Sequence, residues 1–332
     1  MKKNLGILVL FGMVFIATAM CSGNFLSAYN LENLILRASL YGIIGIGVSF
    51  VIISGGIDLS IGSVIGLIGC LYPMMIVEWG VPVWTGLLLV LLIAACIGVL
   101  HGLLITQLKL QPFVVTLCGL LVYRGIARWM TGDTTLGFGS DYASLRWLAI
   151  GKIPTGLGNF HIPVPLVILI VLGVLAAILL NRTIFGRYLL ALGNNEQAAS
   201  YSGINTSGVI ISTYMICSLV AGLGGVLFAL DVNSIQPAGF GSFYELYAIA
   251  AAVLGGCSLR GGEGSIFGVI IGAAIMQLLY NSIGVLGIQT TLEYAVIGIV
   301  ILLGVMADEI VRRIAARRRT DQQAVISAQP EK

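Results

Sequence analysis

Long apolar runs alternate with short polar stretches along almost all of the 332 residues. An apolar helix needs about 20 residues to cross the hydrocarbon core of a membrane. Ten segments approach that length: residues 5–22, 39–54, 62–79, 84–106, 112–130, 163–181, 207–230, 244–256, 265–283 and 290–309. Unpaired backbone polar groups are not tolerated in lipid, and the alternation of a membrane barrel is absent. The pattern therefore predicts about ten transmembrane helices.

Composition agrees with this fold class, because 58% of the residues are hydrophobic and only 9% are charged. A water-soluble domain carries about 25% charged residues. The sequence predicts an all-α integral membrane protein, with a transmembrane domain over residues 1–310 and a basic, polar and disordered cytoplasmic tail over residues 311–332. The first apolar run resembles the core of a secretory signal. It is long enough to span and no clean cleavage site follows, so we interpret it as an uncleaved first span.

Lysine and arginine indicate the orientation, because they are enriched in loops on the cytoplasmic side of a membrane. If the N-terminus is inside, most of the 17 basic residues fall on the inner side, among them Lys2, Lys3 and the arginines between 312 and 319. Both termini are then predicted to be cytoplasmic. Six cysteines lie singly and two histidines lack metal-ligand spacing, so no metal site is expected.

Segments two and eight are short, and each ends at a pair of glycines. The stretch VIISGGIDLSIGSVIGLIG at residues 51–69 aligns with AAVLGGCSLRGGEGSIFGVIIG at residues 251–272. The alignment matches Gly55 with Gly255 and Gly56 with Gly256, and it indicates an internal repeat with a glycine-broken helix in each copy. Transporters built from repeats tend to place their substrate path at such interruptions.

The two breaks and one face of span nine supply the candidates for gating or for the path. They are Gly55, Gly56, Asp58, Ser60, Ser63, Gly255, Gly256, Gln277 and Asn281. For Asp58 two interpretations stay open: it caps the helix that follows, or it acts in gating or in the path. Gln277 and Asn281 either contact substrate or form hydrogen bonds between helices.

The inner loop over residues 181–208 is predicted to contain a short helix. Either Asn194 or Asn195 can cap it, and the helix is too short to be stable alone in water. It therefore either docks on a soluble partner or lies against the inner ends of the protein's own helices. The candidate docking residues are Gly193, Asn194, Asn195, Glu196, Ala198, Ala199 and Gly203.

Motifs for catalysis are absent from the sequence. No G-x-x-x-x-G-K-[ST] phosphate loop occurs, so any ATP hydrolysis that drives transport must belong to another polypeptide. Neither His101 nor His161 belongs to an H-E-x-x-H motif, and no nucleophile is paired with a base. We therefore expect neither an enzymatic activity nor a bound cofactor in this chain.

Four stretches, at residues 27–63, 108–127, 183–205 and 248–273, carry a family resemblance, and GGIDLSIGS at residues 55–63 is its most specific part. The sequence resembles the membrane-spanning permeases of ATP-binding-cassette importers of the monosaccharide class, the group of the ribose, xylose and arabinose permeases.

The resemblance implies the partners of the chain. They are a second permease subunit, identical or related, a cytoplasmic ATPase that binds ATP-Mg, and a periplasmic sugar-binding protein, all at the bacterial inner membrane. It also implies that residues 193–204 contact the ATPase. The sugar is not indicated, since selection would rest largely on the binding protein.

An ion-coupled secondary transporter is the alternative function. Such a transporter usually needs carboxylates near the middle of the membrane, whereas the segment boundaries place Asp58 at the inner margin and Glu245 near the outer one. The glycine-rich outer loop over residues 131–162 is the expected seat for a binding protein. Its charges could form ion pairs at the rim: Asp133, Asp141, Arg146 and Lys152.

Overall fold

The computed structural model describes residues 2–156, 160–287 and 289–292, together with the single residues 295, 298, 299, 302 and 306. Most of the tenth predicted span, residues 290–309, and the predicted tail, residues 311–332, lie outside the described residues. Within the described part the chain is almost entirely helical, and its strands form one short hairpin of β1 (Lys152–Pro154) and β2 (His161–Pro163).

Twelve α-helices follow one another along the described chain. They are α1 (Lys2–Cys21), α2 (Ala28–Ile53), α3 (Ile61–Pro73), α4 (Val83–Gln107), α5 (Pro112–Thr131), α6 (Ala143–Ile150), α7 (Val164–Arg182), α8 (Ile184–Asn194), α9 (Glu196–Tyr201), α10 (Thr206–Val232), α11 (Tyr244–Leu254) and α12 (Ile266–Val285). A π-helical turn, Met74–Glu78, continues α3, and a 3-10 turn covers Thr290–Leu292.

Seven of these helices are long and apolar enough to cross a membrane, namely α2, α3 with its π-helical turn, α4, α5, α7, α10 and α12. This confirms an all-α membrane protein. The predicted count of ten spans is not confirmed, because α11 has 11 residues and the tenth segment lies mostly outside the described residues.

The prediction that segment two is short is wrong. Helix α2 is continuous over 26 residues and begins at Ala28 rather than near residue 39. Polar residues in its first turns lower the local hydropathy and conceal the start of the helix. The hydroxyl of Ser27 accepts a hydrogen bond from the amide of Asn30 and caps that start, and the Glu32 side chain is buried against the hairpin.

Helix α10 lies at the centre of the bundle and packs against α2, α3 and α4. Glycines allow these close approaches, since helices in lipid pack best where small residues let their backbones meet. A Cβ atom at Gly98 of α4 would overlap the carbonyl oxygen of Tyr214 in α10. A Cβ atom at Gly47 of α2 would lie 3.1 Å from the carbonyl oxygen of Cys217.

Between α10 and α11 the chain turns back into the bundle, and we call residues 233–243 the re-entrant segment. It packs on a row of three glycines along α3. A Cβ atom at Gly62 would overlap the carbonyl oxygen of Gly241, and one at Gly69 would overlap the ring of Phe240. At Gly66 the Phe240 carbonyl oxygen would lie 3.0 Å away. These α3 glycines therefore make room for a loop and not only for a helix.

Candidate functional site: two helix breaks and the loop seated on them

The two glycine breaks share one backbone conformation. Gly55 has φ 84° and Gly256 has φ 88°, the left-handed region that glycine adopts without strain at a helix end. The amide of Gly55 donates to the carbonyl of Ile52, and the amide of Gly256 donates to that of Val253. Gly55 therefore corresponds to Gly256, and the sequence alignment of Gly55 with Gly255 is wrong by one residue. The alignment paired the two Gly-Gly dipeptides residue by residue, whereas the left-handed glycine is the first of the pair in one break and the second in the other.

The two breaks contact each other directly. The amide nitrogen of Gly262, in the second break, donates a hydrogen bond of 2.8 Å to the carbonyl oxygen of Ile53, the last residue of α2. A Cβ atom at Gly261 would lie 3.0 Å from the amide nitrogen of Gly55. The carbonyl groups at a helix end need partners, and here the second copy of the repeat supplies one for the first.

The end of α8 is seated on this junction. A Cβ atom at Gly193 would overlap both the Ile53 carbonyl oxygen and the Gly262 amide nitrogen. The Asn194 side chain donates to the carbonyl of Leu190 at 2.9 Å and to that of Gly262 at 3.4 Å. The structure thus brings the start of the candidate docking loop together with both breaks, which sequence spacing alone did not indicate.

Helix α9 follows directly after this end of α8. Asn195 is its N-cap, and the Asn195 Oδ1 atom accepts a hydrogen bond of 2.9 Å from the amide of Ala198. Glu196, Ala198 and Gly203 are exposed. Ala199 is only 4% exposed and belongs to the core. Ala199 therefore lies on the face of α9 that packs inward, and the exposed candidates Glu196, Ala198 and Gly203 remain predicted docking residues.

Sequence reasoning missed Tyr201, which is 90% exposed at the end of α9. A cleft of about 260 Å³ is lined by Glu196, Gln197, Ser200, Tyr201 and Thr206. Aromatic side chains are enriched at protein interfaces. The sequence signal that could have identified Tyr201 was an aromatic residue beside small polar residues in a short helix.

Asp58 organises the turn that precedes α3. Its side chain is 1% exposed, and Oδ1 accepts hydrogen bonds from the amide of Ser60 at 2.9 Å and from the Ser60 hydroxyl at 2.6 Å. Ser60 is the N-cap of α3, and Ser63 is buried in its first turn. These two bonds from Ser60 to the Asp58 carboxylate fit the capping interpretation. Because Asp58 is also buried close to the junction, the gating interpretation stays open.

Polar side chains from three other helices surround the first break. The hydroxyl groups of Tyr214 and Thr116 each donate to the carbonyl oxygen of Ile57, at 3.2 and 3.4 Å. The Tyr123 hydroxyl lies 2.8 Å from Nε2 of the buried His101. His101 therefore has a polar partner, and helices α4, α5 and α10 all meet at the break.

Gln277 and Asn281 lie apart from the junction, on α12. Asn281 exchanges two hydrogen bonds with Asn30 of α2, at 3.1 and 2.8 Å between side-chain amides, and Gln277 is buried. The Asn281 contact is a bond between helices. Within the described ranges no group of three histidine, cysteine, aspartate or glutamate residues could hold a metal ion.

Most charged groups predicted to form a rim are used within the chain. Lys152 and His161 both contact the buried Glu32 carboxylate, at 2.5 and 3.1 Å. The Arg128 guanidinium lies 2.6 Å from the Asp133 carboxylate and holds the pKa of that carboxyl below its usual value. These pairs fasten the outer loop to α2 and α5.

Another predicted rim charge, Arg146, donates to the carbonyl of Leu230 at 3.0 Å. The Arg146 side chain thus ties helix α6 to the end of α10.

Comparison with known proteins supports the transport interpretation. The family described as a permease component of branched-chain amino acid transport systems matches residues 30–305. The ribose import permease protein of Bacillus subtilis is 38% identical, covering 93% of this chain and 93% of that protein. The D-allose transport system permease protein of Escherichia coli is 31% identical, covering 87% of this chain and 86% of that protein.

The xylose transport system permease protein of Haemophilus influenzae is 32% identical, covering 89% of this chain and 92% of that protein. No solved structure matches the chain. The predicted resemblance is confirmed. The chain therefore belongs to this permease family, among the monosaccharide permeases of ATP-binding-cassette importers.

Proposed function

We propose that this chain is the membrane-spanning permease subunit that forms the path for a monosaccharide across the bacterial inner membrane. ATP-Mg binds to and is hydrolysed by a separate cytoplasmic subunit, and a periplasmic sugar-binding protein delivers the sugar. A second permease, either an identical copy or a related chain, completes the path. Both termini are cytoplasmic, in agreement with the distribution of basic residues.

One observation carries the mechanical part of this proposal. Gly193 lies in the last turn of α8, directly before α9, and backbone atoms of Ile53 and Gly262 leave no space there for a side chain. A displacement of α9 by the ATPase would move both glycine breaks together, because packed backbone cannot deform locally without moving its neighbours. The exposed face of α9, with Gln197 and Tyr201, is the proposed contact for the ATPase.

The similarity to named relatives, and not the position of the carboxylates, argues against an ion-coupled secondary transporter. Asp58 and Glu245, which were predicted to lie at the margins of the spans, are both buried among the helices. Burial of carboxylates therefore does not discriminate between the two classes. The relatives do, because they carry the names of sugar import permeases.

Reconstitution tests the proposal. The chain is purified together with the ATPase subunit and the sugar-binding protein of its complex and is placed in liposomes. Uptake of labelled D-ribose, D-xylose, D-allose and D-fructose is measured with and without internal ATP. We expect ATP-dependent uptake of at least one sugar only when all subunits are present. Uptake by this chain alone, driven by a sodium or proton gradient, would contradict the proposal.

Cysteine cross-linking tests the contact with the ATPase. A cysteine at the exposed position Gln197 should form a cross-link to the ATPase subunit in the assembled complex. A cysteine at Tyr29, exposed at the start of α2 near the outer hairpin, is the matched control and should form none.

A further inference from the structure

The depth of the re-entrant segment follows from its contacts with α2. The rings of Tyr244 and Tyr41 lie 5.2 Å apart, and Tyr41 lies about 18 Å along α2 from its end at Ile53. At the other end of the segment, Asp231 forms an ion pair with Arg37, about 24 Å from the same end. The hydrocarbon core of a membrane is about 30 Å thick, so the segment lies inside it.

The backbone of this segment is not helical, yet part of it is exposed. Residues 233–243 form turns and a single bridge to Leu136. Arg124 of α5 donates to the carbonyl oxygens of Pro237 at 3.0 Å and Phe240 at 2.5 Å, which pairs the inward face. The exposed residues of the segment are Ser234, Gln236, Ala238, Gly239 and Phe243.

Lipid cannot cover such a face. Non-helical backbone at membrane depth is tolerated only where it is buried in protein or lines a water-filled cavity. The exposed face of the re-entrant segment therefore meets either the aqueous path or another protein surface. Its small residues and the Gln236 amide are suited to contact with water and with hydroxyl groups.

Phe243 has a strained backbone. Its φ of 67° and ψ of 1° lie in the left-handed region, which a bulky residue adopts rarely and which glycine adopts without cost. Its side chain is 51% exposed. Residues with such strained backbones cluster at active sites, ligand clamps and switch regions.

We propose that Phe243 lines the outer half of the translocation path and that the passing sugar packs the weakly apolar face of its ring against the phenyl group. This rests on the proposed function. Sugar sites commonly combine an aromatic surface with a few polar groups, and the Gln236 amide on the same segment supplies hydrogen bonds for hydroxyl groups. One aromatic contact without a closed pocket holds the sugar weakly, as a path requires.

Water access to residue 243 tests the location independently of transport. The exposed native cysteines Cys21, Cys96 and Cys118 are replaced by alanine, and Phe243→Cys is introduced in the assembled complex in liposomes. A charged, membrane-impermeant methanethiosulfonate should label position 243. Leu175→Cys, exposed in the middle of α7, is the control and should stay unlabelled. If position 243 is equally unreactive, another protein surface covers it and the proposal is wrong.

Two further variants test the role of the ring. Phe243→Gly removes the ring and relieves the backbone strain, so we expect a melting temperature at least equal to that of the native chain and a sugar uptake reduced by tenfold or more. Phe243→Tyr keeps the ring and should keep most of the uptake while changing the apparent KM. Full uptake by Phe243→Gly would overturn the proposal.

The tests separate the two levels of inference. If the native complex imports none of the four sugars, the proposed function fails while labelling at position 243 still reports water access. If the native complex imports sugar and position 243 is unlabelled, only the role of Phe243 fails.

Discussion

The amide nitrogen of Gly262 donates a hydrogen bond of 2.8 Å to the carbonyl oxygen of Ile53. This single bond joins the end of the first broken helix to the loop of the second. Gly193 lies against both atoms, so three segments that are distant in sequence share one backbone junction.

Gly193→Ala places a methyl group where the Ile53 carbonyl oxygen lies. The junction has to open, at a cost of about 1–3 kcal/mol. We therefore expect both the melting temperature and the rate of ATP-driven uptake to fall. Gly125→Ala in α5 is the matched control, because nothing lies within 4 Å of a Cβ atom there. The junction would lose its proposed importance if the Gly193 and Gly125 variants behaved alike.

Tyr201→Ala removes an exposed ring from α9. The free energy of unfolding should change by less than about 0.5 kcal/mol, because surface substitutions have small effects. Binding of the ATPase should weaken by about 2 kcal/mol, which is roughly 30-fold, if the ring is a central interface contact. A pull-down titration measures the affinity, and Tyr29→Ala, at the other end of the bundle, should leave it unchanged. Equal affinity in both variants would remove Tyr201 from the interface.

Substitutions at Asp58 distinguish capping from gating. Asp58→Ala leaves the buried Ser60 amide and hydroxyl without their acceptor and should lower the free energy of unfolding by about 1–3 kcal/mol. Asp58→Asn keeps an acceptor oxygen and should retain most of that stability. If capping is the whole role, uptake by Asp58→Asn stays near the native level. Loss of uptake with retained stability would indicate gating.

Gly56→Leu probes the same break from the backbone side. A Cβ atom at Gly56 would lie 2.6 Å from the Tyr214 hydroxyl, so the bond between Tyr214 and Ile57 cannot persist. We expect uptake and the stimulated ATPase activity to fall together in vesicles that hold the complete complex. The proposed role of the break in gating fails if Asp58→Ala and Gly56→Leu both show normal uptake.

Glu32→Gln removes the charge that Lys152 and His161 share. The carboxylate is buried, so its charged hydrogen bonds should be worth about 2 kcal/mol, and thermal unfolding in detergent should begin at a lower temperature. Asp133→Asn, which removes an exposed ion pair, should have no measurable effect on unfolding. A larger loss in the Asp133 variant than in the Glu32 variant would contradict this account of the outer loop.

Sequence patterns predicted the long helices because each depends on local hydrophobicity. They failed where polar residues are paired over long distances. The start of α2 was missed because Asn30 and Glu32 look unsuitable for a span, and their partners, Asn281 and Lys152, are far away in sequence. Hydropathy alone carries no information about such partners.

The candidate site shows the same limit. The glycine pairs were visible in the sequence, but their junction with Gly193 depends on three-dimensional contact. The three glycines of α3 receive the re-entrant segment, a contact that is likewise visible only in three dimensions. Its turns at Gly241 and Phe243 could not be predicted, because a phenylalanine gives no sign of a positive φ.

The bond between Ile53 and Gly262 also dictates an order of assembly during synthesis. The early helices can insert one after another as they leave the ribosome, since chains fold from the N-terminal side first. The end of α2 remains incomplete until Gly262 has been translated, much later. A chain that ends before Gly262 would therefore lack the backbone partner of the Ile53 carbonyl group, beside which Gly193 has to pack.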